Sequence, residues 1–140
     1  SGGYSIITYA NKIYENLRIN NSKILNILKR KFIFERRGFQ SIQKTFSKPI
    51  FENKKNNLSF RYLRDYIESG YKIKKIKMKK SQLSALKKLD QMLSKKKYQK
   101  KYKLNKGDII LLNNNILAHG RTKFKVTKDK NRTLLRAWIK

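Results

Sequence analysis

The sequence predicts a mainly β fold with peripheral helices, arranged as one domain over residues 1–140. Hydrophobic residues make up 39% of the chain, which is enough to bury a core in a single domain of this length. Short runs of β-branched and aromatic residues bounded by Gly, Asn and Lys are typical of strands. These runs are Ser5–Tyr9, Phe32–Phe34, Leu58–Tyr62, Ile109–Leu112 and Thr133–Ile139.

Helical spacing of apolar residues predicts the peripheral helices. Ala10–Arg18 has this spacing, and a second helix is expected to begin near Ser22, which is a candidate N-cap. Ser81–Lys97 carries Leu and Met on one face and is the clearest amphipathic segment. A short turn or helix is expected at Tyr62–Glu68, and the polar segment Gln40–Asn57 is expected to be a loop with at most one strand edge.

The charge of the chain has two explanations that the sequence leaves open. Lys and Arg number 37 against 8 Asp and Glu, for a net charge of +29, and such a surface attracts polyanions. Lys, Asn, Ile, Tyr and Phe share A/T-rich codons, so genomic bias explains much of the lysine but not the scarcity of acidic residues. The densest basic segments are Lys72–Lys80 and Lys95–Lys101, and solvated faces are a simpler interpretation of them than a nucleic-acid groove.

Several classes of protein are excluded or disfavoured. The chain has no Cys, which excludes disulfides and thiolate metal sites. There is no apolar stretch of about 20 residues and no signal-peptide pattern, so a cytoplasmic protein without a membrane partner is expected. The first residue is Ser1 rather than Met, which suggests a trimmed chain or a fragment.

The only histidine, His119, stands in a patterned segment. A Gly107-Asp108 turn precedes an apolar run and an Asn-rich turn, and His119 is followed by Gly, Arg and Thr. Arg132 and Arg136 follow downstream and share one face if that segment is a strand. Two guanidinium groups on one face favour a dicarboxylate ligand, because arginine binds carboxylates through paired hydrogen bonds.

These motifs resemble the taurine dioxygenase (TauD/TfdA-like) family of iron(II)/2-oxoglutarate oxygenases. In that family, a Gly-Asp turn, an Asn in the next turn, His-Gly-Arg-Thr and an Arg-x-x-x-Arg pair follow one another in this order. Further similarity covers a Gly-Gly-x-Thr/Ser turn and two central segments. The matching residues are Gly2–Ser5, Lys48–Phe51, Phe60–Tyr62, Gly107-Asp108, Asn114, His119–Phe124, Arg132 and Arg136.

The resemblance implies a double-stranded β-helix, a jelly-roll relative, and an enzyme that hydroxylates a small molecule or an amino-acid-like substrate. It implies that His119 is the second histidine of a two-histidine-one-carboxylate iron(II) site. It also implies that Arg132 and Arg136 bind the cosubstrate 2-oxoglutarate, and that the hydroxyl of Ser5 donates to it. Asn114 and Arg121 are expected to hold the loop near the site in shape.

The family's first histidine and carboxylate form a His-x-Asp/Glu pair that precedes the Gly-Gly turn, and this sequence contains no second histidine. We therefore expect the chain to be the C-terminal part of the oxygenase domain, with the jelly-roll incomplete and no activity on its own. Two alternatives remain at this point. One is a basic, non-enzymatic nucleic-acid-binding protein, and the other is a noncatalytic remnant of the oxygenase fold.

Overall fold

The computed structural model describes residues 3–38, 42–55, 57–123, 135 and 137. Within them the chain mixes helices and strands, and its four α-helices contain more residues than its seven strands. The helices are α1 (Ala10–Asn20), α2 (Ser22–Leu28), α3 (Arg64–Ile73) and α4 (Lys80–Leu93). The strands are β1 (Ser5–Tyr9), β2 (Lys31–Glu35), β3 (Thr45–Pro49), β4 (Phe51–Lys54), β5 (Asn57–Phe60), β6 (Gln99–Tyr102) and β7 (Leu117–Arg121).

The strands form three small antiparallel sheets, with the order β6-β1-β7 in the largest and the pairs β2-β3 and β4-β5 in the others. The described residues therefore mix helices and strands as expected, with more helix than a mainly β fold implies, and the double-stranded β-helix stays a prediction. No helix among the described residues is long and apolar enough to span a bilayer.

The core lies between the helices and the two-stranded sheets. Phe32 and Phe34 of β2 are fully buried and α3 packs against this strand, while α2 packs against α4. Helix α1 follows the predicted spacing, since Ile13 and Leu17 are buried on one side. Helix α2 begins as predicted at Ser22, but its N-cap is Asn21, whose side chain accepts a hydrogen bond from the N–H of Ile24 at 3.4 Å.

The structure corrects the expectations for two segments and extends a third. The predicted loop Gln40–Asn57 contains β3, β4 and the first residue of β5. Tyr62–Glu68, predicted to be a short turn or helix, is helical from Arg64, and this helix, α3, continues through Gly70 to Ile73. Ile109–Leu112, predicted to be a strand, has no strand partner among the described residues, whereas Thr133–Ile139 lies almost wholly outside them.

The buried face of α4 is also shifted from the predicted one. Its buried residues are Ala85, Leu86, Leu89 and Met92. Leu83, expected on the apolar face, is 42% exposed, whereas Ala85, which the predicted face did not include, is fully buried. The predicted helix to Lys97 ends at Leu93, and a 3-10 turn at Lys96–Tyr98 leads directly into β6.

Candidate functional site

The three-stranded sheet brings the two ends of the motif region together. Strand β1 is central, with β6 on one side and β7 on the other. Its register with β7 pairs Ser5 with Arg121 and Ile7 with His119. Residues directly opposite each other in an antiparallel pair point to the same face, as do alternate residues along a strand. Ser5, His119 and Arg121 therefore share one face of the sheet.

Strand β6 adds two residues to the same face. Its register pairs Tyr102 with Ser5 and Lys100 with Ile7. The Nζ of Lys100 lies 5.9 Å from the centre of the Tyr9 ring, which is consistent with this placement because Tyr9 also follows Ser5 by an even number of residues. The sequence did not predict these residues as part of the site, because nothing in the basic segment Lys95–Lys101 indicated a strand.

This face carries positive charge and no carboxylate. The three strands of the sheet contain no Asp or Glu. Lys100, His119 and Arg121 are exposed, while Ser5 is half-buried. Hydroxyl and guanidinium groups donate hydrogen bonds, and carboxylates accept them with greater strength than neutral groups do. The face therefore has the chemistry to bind a carboxylate or another small anion.

Hydrogen bonds outside the regular ladder fix the ends of β1 and β7. The N–H of Tyr4 donates to the hydroxyl oxygen of Thr122 at 2.9 Å, and the N–H of Thr122 donates to the carbonyl of Tyr4 at 3.0 Å. Gly3, with φ of 77°, precedes this pair in a backbone conformation that favours glycine. Thr122 thus joins the residues after Gly3 to the His-Gly-Arg-Thr segment, which gives that threonine a positioning role that sequence reasoning missed.

The two turns before β7 are built by acidic and amide side chains. Gly107 has φ of 91°, and a carboxylate oxygen of Asp108 accepts a hydrogen bond from the N–H of Asn105 at 2.8 Å. In the next turn, the side-chain oxygen of Asn113 accepts from the N–H of Asn115 at 3.0 Å. Asn114, the residue predicted to shape this turn, lies within it and is exposed.

The Asn-rich turn is attached to the rest of the fold through its backbone. The carbonyl of Asn115 accepts a hydrogen bond from the N–H of Phe60 at 2.6 Å, and that of Ile116 accepts from Ala10 at 3.2 Å. Phe60 ends β5 and Ala10 begins α1, so the turn is held between the β4-β5 hairpin and the first helix. This attachment sets where β7 begins and, with it, the position of His119.

The structure thus brings together Ser5, His119 and Arg121, whereas Arg132 and Arg136 lie outside the described residues. The residues present do not complete an iron site. The sequence has a single histidine, and within residues 3–38, 42–55 and 57–123 no cluster of three or more His, Cys, Asp or Glu could hold a metal ion. His119 alone supplies one imidazole, and metal affinity comes from several ligands held together.

Comparison with protein families assigns the chain to the dioxygenases. The family model that matches is described as Taurine catabolism dioxygenase TauD, TfdA family, and the match covers residues 1–138. The chain therefore belongs to this family, and the identification from its motifs is confirmed. A search of curated proteins gives no match to the chain.

Proposed function

We propose that this chain forms the cosubstrate-binding part of an iron(II)/2-oxoglutarate-dependent dioxygenase that hydroxylates a small or amino-acid-like molecule. The observation that carries the proposal is the shared face of Ser5 and His119 on neighbouring strands. Diagonal neighbours across an antiparallel pair lie about 7–8 Å apart, which is close enough for one small ligand to reach both. Family membership supports the proposed class of reaction.

The chain's own residues bind and orient 2-oxoglutarate in this proposal. The hydroxyl of Ser5 donates a hydrogen bond to the cosubstrate, Arg132 binds its distal carboxylate through paired hydrogen bonds, and Arg136 assists near the same cosubstrate. Arg121, opposite Ser5, adds positive potential at the same end of the sheet. A dianion gains from this potential because the face has no carboxylate of its own.

His119 supplies one metal ligand in the proposed enzyme. Because the sequence contains no second histidine, another histidine and a carboxylate have to come from residues outside these 140. We propose accordingly that the chain is the C-terminal part of one oxygenase domain. The catalytic step depends on those ligands, whereas cosubstrate binding through Ser5 and the arginines does not.

An NMR titration tests whether the chain binds the cosubstrate. In it, 2-oxoglutarate is added to the chain in the absence of metal. Ser5→Ala is expected to weaken binding about tenfold, since a hydrogen bond to a charged group contributes about 1.5–3 kcal/mol. Ser47→Ala, on the exposed side of β3, is the matched control and should leave binding unchanged. Equal affinity for butyrate, or no effect of Ser5→Ala, would contradict the assignment.

An assay of 2-oxoglutarate turnover tests whether the iron ligands are complete within the chain. With iron(II), 2-oxoglutarate and dioxygen, the 140-residue chain is expected to form no succinate above the background without protein, because one imidazole does not retain iron(II). His119→Ala should then change nothing in this assay. Succinate formation that His119→Ala abolishes would show that the ligand set is complete within the chain.

A further inference from the structure

The connection between α3 and α4 exposes apolar side chains within a dense group of lysines. We name it the lysine–aliphatic corner and define it as Lys72–Lys80 together with Leu83. The nine residues from Lys72 to Lys80 contain six lysines. Ile73, Ile76 and Leu83 are 40%, 52% and 42% exposed, respectively.

Hydrogen bonds hold the corner in a defined shape. The N–H of Ile76 donates to the carbonyl of Tyr71 and that of Lys75 to Lys72, at 3.1 and 3.0 Å, which is the Schellman pattern at the end of α3. The side chain of Gln82 accepts from the N–H of Lys79 at 3.0 Å and donates to the hydroxyl of Tyr71 at 2.9 Å. The end of α3 and the first turn of α4 are thereby joined.

The positive charge of the corner is not neutralised within the fold. None of the ion pairs formed by the described residues includes a lysine of the corner. The nearest acidic residue on each side of the corner along the chain, Glu68 before it and Asp90 after it, is engaged by Arg64, at 2.7 and 2.8 Å respectively. Exposed aliphatic groups and unpaired lysines therefore occupy the same surface.

We propose that the lysine–aliphatic corner binds the surface of a bilayer that contains anionic lipids. Ile73, Ile76 and Leu83 insert between the headgroups, and the surrounding lysines pair with lipid phosphates. This binding departs from the expectation of no membrane partner, which rested on the absence of a membrane-spanning stretch and of a signal peptide, because surface binding needs neither. It is independent of the cosubstrate site on the β6-β1-β7 sheet.

The chemistry of the corner favours a lipid surface over the other candidates. Single-stranded nucleic acids stack their bases on exposed aromatic rings, but the exposed apolar side chains here are aliphatic and Tyr71 is 7% exposed. A second copy of the chain would bring the same lysines together on two molecules that each carry a net charge of +29. An anionic bilayer satisfies both the aliphatic and the cationic groups.

The backbone of Lys75 supports a role for charge at this position. Its φ of 55° lies in the left-handed region, and glycine is the residue usually found at this position of the motif. A lysine there carries a conformational cost that folding alone does not require. Cationic binding at the corner gives that lysine a function.

Co-sedimentation with vesicles tests the proposal. The chain is expected to bind vesicles of phosphatidylcholine with about 30% phosphatidylglycerol, and not pure phosphatidylcholine.

Lys77→Gln should weaken binding about fivefold, as each lysine near the surface contributes about that factor. Ile76→Ser should weaken it by a similar factor, because the apolar side chain no longer leaves water. The control variants Lys23→Gln and Ile19→Ser, both at exposed positions on other helices, should change it less than twofold.

Tryptophan fluorescence measures whether the side chain at position 76 inserts into the bilayer. The emission of Ile76→Trp should shift to shorter wavelength on the anionic vesicles, and that of Ile19→Trp should not. Ile76→Ser should leave binding to a single-stranded RNA homopolymer unchanged. The proposal is overturned if Ile76→Ser binds vesicles as the parent does, if it weakens RNA binding equally, or if light scattering shows a dimer that Ile76→Ser dissociates.

Discussion

At the scale of single residues, a polar network links the segment after β5 to α3 and α4. The hydroxyl of Tyr62 donates to one carboxylate oxygen of Asp90, and Arg64 donates to the other at 2.8 Å. Arg64 also pairs with Glu68 at 2.7 Å. Burial, and secondly the hydrogen bond to Asp90, raise the pKa of Tyr62 above its ordinary value. The neutral phenol is therefore part of what joins these elements.

This raised pKa predicts a specific alkaline dependence of stability. The unfolded state ionises Tyr62 near pH 10, whereas the folded state holds the proton to higher pH. The contribution of Tyr62 is thus fully present below about pH 10 and is lost as pH rises through the folded-state pKa. We expect the difference in free energy of unfolding between the parent chain and Tyr62→Phe to be constant up to about pH 9 and to fall above pH 10.

Urea denaturation of both proteins between pH 7 and 11 measures this difference. The two proteins differ only at residue 62, so their difference isolates the phenol, and the parent should be about 1 kcal/mol more stable at pH 7. A difference that stays constant through pH 11 would mean that the phenol is not held neutral by its surroundings.

Gly70 shows how a single missing side chain allows α3 to pack on β2. A Cβ atom at this position would lie 2.6 Å from the carbonyl oxygen of Ile33 and 2.7 Å from the backbone carbon of Phe34. Both are backbone atoms of a buried strand, so they cannot move away without distorting that strand. Gly70→Ala is therefore expected to destabilise the fold by about 1–3 kcal/mol, although alanine favours a helix. Gly38→Ala, where no atom lies within 4 Å, is the matched control and should change stability by less than about 0.5 kcal/mol.

At the scale of elements, the end of α3 predicts a stabilising substitution. Lys75 has φ of 55°, while its neighbour Lys74 has φ of −77°. Glycine in place of Lys75 relieves backbone strain. Glycine in place of Lys74 relieves none and only increases the entropy of the unfolded chain. Thermal unfolding should show Lys75→Gly to be about 0.5–1 kcal/mol more stable and Lys74→Gly less stable by a similar amount. Loss of stability in both variants would contradict the left-handed conformation of Lys75.

The elements that could be predicted are those whose signal is local. Strand β1 and helix α1 follow directly from the residue pattern of Ser5–Arg18. Strands β3 and β6 could not be predicted, because Thr45–Pro49 and Gln99–Tyr102 are polar or basic and become strands only by pairing with β2 and β1. The opposite error occurs at Ile109–Leu112, where an apolar run has no strand partner among the described residues.

For the candidate site, the sequence identified the family, whereas the arrangement of the predicted site residues came only from the structure. The order of motifs identified the family, and Ser5 and His119 were expected near each other. Their shared sheet face and the position of Arg121 opposite Ser5 depend on the register of β1 with β7, which the sequence does not encode locally. Lys100 was missed for the same reason, because it reaches this face only through the pairing of β6 with β1.

At the scale of the whole molecule, the few acidic residues serve the fold and leave the basic excess unbalanced. Glu15, Glu35, Glu52, Glu68 and Asp90 each form an ion pair with a nearby Arg or Lys. With 37 basic residues against 8 acidic ones, most lysines have no acidic partner to pair with. The chain therefore carries a strong positive field whatever the origin of its lysines.

This field predicts nucleic-acid binding that is non-specific and sensitive to salt. Scattered lysines neutralise phosphates but do not read base edges, so DNA and RNA of different sequences should bind alike. Each neutralised phosphate releases counterions, and a complex that neutralises about 6–10 phosphates weakens about a thousandfold or more between 50 and 200 mM salt. Lys72–Lys80 and Lys95–Lys101 are the densest basic segments and should carry most of this binding.

Fluorescence anisotropy with several labelled DNA and RNA sequences at the two salt concentrations measures the effect. Replacing Lys95, Lys96 and Lys97 with Gln should lower the slope of log affinity against log salt by about one for each phosphate that is no longer neutralised, equally for every sequence. Binding of this kind requires no surface selected for nucleic acid, so codon bias is sufficient to explain the lysines that take part in it. Tight and sequence-selective binding that persists at about 200 mM salt would instead mean that the basic surface was selected for nucleic acid.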